Sequence, residues 1–156
     1  YRIDKVDKSI KIKHKLIKAQ QIHKKLVKEW FEQFLIDAFI DTNPSKQKIE
    51  SLADKRLENN EVFLLIKDGN PVSIACSSRP TKDAITVNGV FTPIEHRANG
   101  FASEAVALLS ELLLKQYKYC CLYTDLTNPT SNKIYQRAGY YTVCDSLHYK
   151  LSETND

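Results

Sequence analysis

Residues 84–102 read Ala84-Ile85-Thr86-Val87-Asn88-Gly89-Val90-Phe91-Thr92-Pro93-Ile94-Glu95-His96-Arg97-Ala98-Asn99-Gly100-Phe101-Ala102. The first part is rich in β-branched and apolar residues and predicts a strand over about 84–92. Pro93 to Gly100 predicts a loop. From about Gly100 to Gln116 the apolar residues Ala102, Ala105, Val106, Leu109, Leu112 and Leu113 recur at helical spacing, with Ser103, Glu104, Ser110, Glu111 and Lys115 on the expected wet face. Within the loop, Arg97-Ala98-Asn99-Gly100-Phe101-Ala102 puts small residues at its second, fourth and sixth positions. Small residues let the backbone turn tightly and approach a ligand closely. The loop runs into a helix N-terminus, where unpaired N–H groups and the helix dipole attract an anion. Taken alone, the hexapeptide fits an ordinary strand-to-helix connection equally well.

Downstream, Tyr119 to Leu126 predicts a strand and Pro129 to Ala138 a short helix. Pro129 suits a first helical turn and Gly139 a C-terminal stop. On that helix Asn128, Ser131, Asn132 and Tyr135 share a side. The plainer reading makes Asn128 a cap and Tyr135 a core residue. A last strand places Tyr141, Val143, Leu147, Tyr149 and Leu151 in phase, with a bulge or bend expected near Asp145-Ser146.

Upstream, Ile10, Ile12 and Leu16 alternate with lysines and predict an edge-like strand. Val27, Trp30, Phe31, Phe34, Leu35 and Ala38 follow the stripe of an amphipathic helix that ends before Thr42-Asn43-Pro44. A second helix is expected over about 45–59, capped by Ser45. The continuous apolar run Val62 to Ile66 reads as a strand buried on both faces. Asp68-Gly69 marks a hairpin to a partner strand over about 71–78. The element order predicts a mixed sheet with helices on both faces.

With 156 residues the chain has the length of one ordinary domain. Its composition, 42% hydrophobic and 27% charged, excludes a disordered, collagen-like or coiled-coil chain. No apolar run is long enough to cross a membrane, and no signal peptide is visible. The chain has no Met and begins at Tyr1, as expected of a trimmed start or of the C-terminal part of a longer protein. The net charge of +4 is uneven. Residues 1–28 hold ten Lys/Arg against two Asp, and the rest holds thirteen against seventeen Asp/Glu. A basic end can attract nucleic acid or anionic lipid. No aromatic residues interleave these lysines in the manner of single-strand binders, which argues against a nucleic acid partner. Cys76, Cys120, Cys121 and Cys144 show no CxxC spacing, so no metal site is expected, and unpaired thiols fit a reducing cytoplasm.

Together the two polar segments resemble the GNAT superfamily of acetyl-CoA-dependent N-acetyltransferases. Arg97, Gly100 and Ala102 match the family's cofactor-loop pattern, and Asn128, Tyr135, Gly139 and Tyr140 its later pattern. The resemblance is firm from about Glu61 to Leu151, and over residues 10–60 it rests on element order. It implies an α/β (α+β) fold with a mixed, mostly antiparallel central sheet of about six to seven strands, helices on both faces and a splayed slot. The division it suggests is an extension or upstream fragment over 1–9, the acetyltransferase domain over 10–151 and a tail over 152–156.

The resemblance also implies site residues. Arg97, Ala98, Asn99, Gly100, Phe101 and Ala102 hold the diphosphate of acetyl-CoA through backbone N–H groups. Val90, Phe91 and Thr92 pair with the pantetheine arm, and Asn128 and Asn132 offer amides to it. Tyr135 stands where the family places the acid for the leaving thiolate. Many relatives carry a carboxylate in the strand before the loop. This strand has none, and Glu95, His96 and His148 lie elsewhere. The expected activity is direct acetyl transfer to a primary amine by a cytoplasmic monomer or homodimer that needs neither metal nor membrane. The alternative is a non-catalytic acyl-CoA-binding or regulatory domain on the same fold.

Overall fold

The computed structural model describes residues 1–38, 42–125 and 127–145. Leu126, the expected strand residues from Ser146 to Leu151 with His148 among them, and the tail 152–156 lie outside these. The described elements are β1 (Arg2–Ile3), β2 (Lys15–Lys18), α1 (Lys24–Asp37), α2 (Lys46–Glu58), β3 (Val62–Lys67), β4 (Asn70–Ser78), β5 (Ala84–Phe91), α3 (Phe101–Leu113), β6 (Tyr119–Cys121) and α4 (Pro129–Ala138). Six strands form one sheet in the order β1-β6-β5-β4-β3-β2. Only β5 and β6 are parallel. This is the mixed α/β GNAT fold expected from the sequence. No described helix is long and apolar enough to cross a membrane.

The sheet separates two cores. On one face Val62, Leu64, Ile74, Cys76 and Phe91 pack against Val27, Trp30 and Phe31 of α1 and Ala53 and Leu57 of α2. On the other, Phe63, Leu65, Ala75, Ile85 and Val87 pack against α3. The alternation along β3 explains why its sequence is apolar throughout: each face of the strand meets a helix layer. Ser45 caps α2 by accepting the Lys48 N–H at 3.2 Å. Asp68 and Gly69 both adopt left-handed φ, +49° and +80°, as a tight two-residue hairpin requires.

Helix α3 is buried more completely than its pattern predicts. Ser103, Glu104 and Ser110, expected on a wet face, are 7%, 5% and 0% exposed. The cover is the N-terminal segment. Residues 10–14 do not form the strand that the Ile/Lys alternation suggests, and β2 begins only at Lys15. Instead the chain leaves β1, crosses α4 and α3, and turns the N–H groups of Lys13 and His14 onto the Glu104 carboxylate, each at 2.6 Å. Ser110 in turn hydrogen-bonds the Tyr140 hydroxyl at 2.8 Å.

Among the described residues, 142–145 form no strand. The outer edge of β6 is already occupied: Arg2 pairs with Cys121, Ile3 with Cys120, and Tyr1 exchanges two hydrogen bonds with Leu122 at 3.0 and 3.1 Å. Beyond β1, Tyr141 is the described residue that bridges Arg2, and Val143 is 59% exposed.

Gly139 ends α4 at φ +104°, and a Cβ there would meet Asp7 N at 3.0 Å and Lys5 O at 3.1 Å. A Gly139→Ala variant therefore combines a strained φ with a clash against the strap and loses about 2 kcal/mol or more. Gly69→Ala, where the Cβ meets nothing within 4 Å, loses only the backbone term of about 1 kcal/mol. Urea unfolding of the two variants checks the difference. Equal losses would mean that the strap does not press on Gly139.

Candidate active site

β5 and β6 pair only at their beginnings: Ala84 with Tyr119, Ile85 with Cys120, Thr86 with Cys121. β5 continues to Phe91, so among the described residues its second half has no strand on the β6 side. On its other edge, β5 carries an extra residue against β4. Ile74 pairs with Phe91 and Cys76 with Asn88, so one residue between them on β4 opposes two, Gly89 and Val90, on β5. Gly89 supplies the left-handed φ of +55° that such a bulge uses. A bulge bends its strand, and here the bend falls where the parallel pairing has ceased. Past Thr86 and Cys121 the described ladder between β5 and β6 stops, which leaves a gap between the two chain segments.

The gap leads to the loop. Ser73 Oγ fixes the end of β5 by donating to the Phe91 carbonyl at 3.1 Å and contacting Thr92 Oγ1 at 2.9 Å. A single 3₁₀ turn, Ile94–His96, follows. Ala98 (φ +62°) and Gly100 (φ +80°) are left-handed, and Asn99 ties the loop by donating to the carbonyls of His96 at 3.1 Å and Arg97 at 3.0 Å. The two left-handed residues turn the backbone sharply on either side of Asn99, and the N–H groups of such a turn can form a concavity suited to an anion. Residues 97–100 are exposed, while Phe101 anchors the helix in the core. Arg97 points away from the loop's mouth. Its guanidinium donates to the Thr92 carbonyl at 2.9 Å and to Asp37 at 2.6 Å, so it braces the loop against α1.

α4 begins as the sequence predicts. Asn128 caps it by accepting the Ser131 N–H at 3.1 Å, and Asn132 donates to the Asp125 carbonyl at 3.3 Å. Tyr135 packs on the α3-side core, as Val90 does, with its ring 6.2 Å from that of Tyr140 and 6.5 Å from that of Tyr1. Burial pushes its phenol up to about 12, so the group holds its proton throughout the physiological range. Burial likewise pushes the thiols of Cys76 and Cys120 up to about 12.

Three features of this region carry no sequence motif. Lys11, Lys13, Lys67 and Arg137 border a cleft of about 670 Å³ at the start of α3, together with Gly100 and Ser103. Glu104 holds the strap beside that cleft through Lys13, His14 and the His14 ring, whose Nδ1 lies 2.8 Å from Oε2. On the opposite face of the sheet, Asn88 is held by Arg56 at 3.0 Å and Ser78 at 2.6 Å. Asn88 is a polar side chain of β5, a strand without a carboxylate. Glu95 is exposed and His96 half-buried.

The acetyltransferase (GNAT) family model matches residues 20–140, and the chain belongs to that family. Solved structures share its fold. A probable acetyltransferase superposes with a TM-score of 0.71 at 16% identity, covering 91% of this chain and 99% of its own. An acetyltransferase from Clostridium acetobutylicum, solved with acetyl-CoA, gives 0.68 at 15%, covering 88% and 96%. The aminoglycoside N-acetyltransferase AAC(6')-Iy, solved with CoA, gives 0.69 at 15%, covering 89% and 95%. No curated protein sequence matches the chain significantly.

The Glu104 carboxylate has a definite pH signature. Its burial alone would raise its pKa, but the His14 ring and the two strap N–H groups outweigh that and hold it below the ordinary glutamate value. A carboxylate depressed in the folded state adds stability above its unfolded pKa and loses it as pH falls through the folded pKa. Stability should therefore decline on acidification below about pH 4.5. Glu104→Ala, which leaves three part-buried donors of the strap without their acceptor, should cost about 2 kcal/mol at pH 7 and flatten that decline. Thermal melts of both proteins from pH 7 to pH 3 check it; parallel curves would remove Glu104 as a clamp.

Proposed function

We propose that this chain transfers the acetyl group of acetyl-CoA to a primary amine by direct attack, with both substrates bound together. The observation that carries the reading is the parting of β5 from β6 beside a loop that presents N–H groups at the start of α3. The residues fit such a co-substrate. Backbone groups of Val90, Phe91 and Thr92 lie beyond the last β5–β6 pair, where an extended amide-bearing arm could pair with them. Residues Arg97 to Ala102 offer an anion-shaped turn to a diphosphate. Asn128 and Asn132 bring side-chain amides from the β6 side. The aminoglycoside N-acetyltransferase among the structural neighbours supports an amine acceptor.

Acetyl-CoA supplies an activated thioester carbonyl. Attack forms the C–N bond and breaks the C–S bond, so one proton must leave the amine and one must reach the sulfur. Backbone N–H groups near Val90 to Thr92 stabilise the negative charge that develops on the carbonyl oxygen. Tyr135 gives its phenolic proton to the departing thiolate, and the proton shed by the amine nitrogen passes to water and from water back to the phenolate, which restores the donor. β5 bears no carboxylate, so the acceptor enters as the free amine, and the rate rises with pH through the acceptor's own ionisation. Tyr135, protonated up to about 12, imposes no alkaline limb below roughly pH 10. Free thiols at all four cysteines suit action in a reducing cytoplasm.

Thiol release from acetyl-CoA over a panel of amines, polyamines, aminoglycosides and peptides tests the activity. Acetyl-CoA at about 100 times its Kd should stabilise the fold by about 2.7 kcal/mol. A thermal shift without thiol release on any amine would favour the non-catalytic acyl-CoA-binding domain, and no shift at all would sink both readings.

Two variants probe the residues. Tyr135→Phe keeps the ring and should lower kcat by about 10²-fold with much less effect on acetyl-CoA affinity. A near-wild-type kcat would reduce Tyr135 to a packing residue. Gly100→Ala places its Cβ where nothing lies within 4 Å, so the fold survives at a backbone cost of about 1 kcal/mol. The methyl instead obstructs the mouth of the loop and weakens acetyl-CoA by roughly tenfold or more. Calorimetry reads this, and unchanged affinity would take the loop out of the site.

A further inference from the structure

We propose that Asn88 and Tyr123 form the acceptor site of this chain, and that the acceptor is a primary amine carried on an aromatic group. The site rests on the acetyl-transfer reading above. β5 and β6 last pair at Thr86 and Cys121. Two residues further along each strand stand Asn88 and Tyr123, at matching positions on the two margins of the gap. Ile85, Val87, Cys120 and Leu122 belong to the α3-side core, so alternation puts Asn88 and Tyr123 on the α2 side of the sheet. Leu122 exchanges two hydrogen bonds with Tyr1, so the extended path of β6 runs up to Tyr123.

Each residue is marked out by its surroundings. Asn88 is half-buried, and chemistry fixes its amide. The Arg56 guanidinium only donates, so Oδ1 faces it at 3.0 Å, and Nδ2 donates to Ser78 Oγ at 2.6 Å. Among the described residues, one lone pair of Oδ1 and one N–H of Nδ2 remain for a ligand. That lone pair accepts an N–H of the attacking amine. A neutral amide does not take the proton, which agrees with attack by the free amine. Tyr123 is 70% exposed. Its ring has no aromatic partner among the described residues, whereas Tyr1, Tyr135 and Tyr140 contact one another. A bare ring beside the gap offers an aromatic acceptor its face or its edge.

Packing assigns the two sides of the gap different tasks. Tyr135 and Val90 pack on the α3-side core, while Asn88 and Cys121 on the other side are only half-buried and Tyr123 is exposed. The amine therefore enters past Asn88 and Tyr123, and the thiolate leaves toward Tyr135. The entrance offers no spare counter-charge to a polycation. Glu61 lies 3.7 Å from Arg56, and Asp125 accepts the Thr127 N–H and hydroxyl, each at 2.8 Å. Asp83 pairs with Lys118 at 2.9 Å, at the other end of β5. A polyamine or an aminoglycoside would bring further ammonium groups into a site without carboxylates to pair them, which is costly. An acceptor with one amine and an apolar ring gains by covering Tyr123.

Initial rates of thiol release with phenethylamine, propylamine and spermidine, at saturating acetyl-CoA, test the site. The wild type should show a kcat/KM about 10-fold or more higher for phenethylamine than for the other two. Tyr123→Ala should lower kcat/KM for phenethylamine by about 10-fold, through KM, and much less for propylamine. Tyr123→Phe, which keeps the ring, should recover most of that loss. Asn88→Ala should lower kcat/KM for both amines by about 10-fold. The thermal shift with acetyl-CoA should be unchanged in all three variants. Tyr123 is exposed, so its variants fold whatever Asn88→Ala does to stability. Spermidine turned over as well as phenethylamine would overturn the site while leaving acetyl transfer intact. Equal losses for phenethylamine and propylamine in Tyr123→Ala, or an undiminished kcat/KM in a folded Asn88→Ala, would overturn it too. Thiol release with no amine of the wider panel would overturn the acetyl-transfer reading and this site with it.

Discussion

The extra residue in β5 is the constraint on which the rest of the site depends. A sheet closes its ladders wherever it can, because unpaired backbone groups are costly. Here β5 and β6 start as ordinary parallel neighbours and part after Thr86 and Cys121. The bulge at Gly89–Val90 turns the later half of β5 while Ser73 pins its end through Phe91 and Thr92. Two cores hold the arrangement: Phe91 belongs to the α1 side, against Trp30, and Val90 to the α3 side. With its direction fixed from both faces, the strand delivers the loop and the first turn of α3 to the mouth of the gap.

The strap is the second constraint, and it works by supplying partners. α3 carries buried Ser103, Glu104 and Ser110, which an apolar neighbour would leave unsatisfied. The N-terminal segment brings N–H groups and an imidazole to Glu104 and, near its start, fills the edge of β6. It passes so close to Gly139 that the α4 stop and the strap path require the same small residue. One segment therefore closes the sheet, covers the central helix and carries lysines to the cleft.

The sequence makes legible what depends on local chemistry. Pro129 and Gly139 bound α4, Ser45 caps α2, Asp68-Gly69 turns the hairpin, and Val62 to Ile66 reads as a doubly buried strand, because each signal acts within a few residues. The loop from Arg97 to Ala102 was legible for the same reason. The strap was not. Ile10 and Ile12 alternating with lysines mimic a strand, and nothing nearby reveals that Lys13 and His14 will face a carboxylate about ninety residues on. Glu104 fits the wet face of an amphipathic pattern and is instead buried by a distant segment. The short β6 escaped for a related reason: apolar residues continue past Cys121, but the partner edge has turned away. The four cations of the cleft share no spacing at all.

The proton chemistry of the proposed reaction follows from burial. A phenol near 12 is a poor donor to a thiolate in water, whose thiol ionises near 8.5, since the transfer is uphill by about 3.5 pKa units, roughly 5 kcal/mol. The interior of this protein changes the comparison. Burial raises the Cys76 and Cys120 thiols to about 12, the same range as the Tyr135 phenol. A thiolate released in a gap as dry as those sites would be correspondingly more basic. Donor and acceptor are then nearly matched, which is the condition for efficient proton transfer. In the proposed reaction the burial that keeps the proton on Tyr135 would also raise the demand for it at the sulfur, so water exclusion and acid catalysis would be one property of the site.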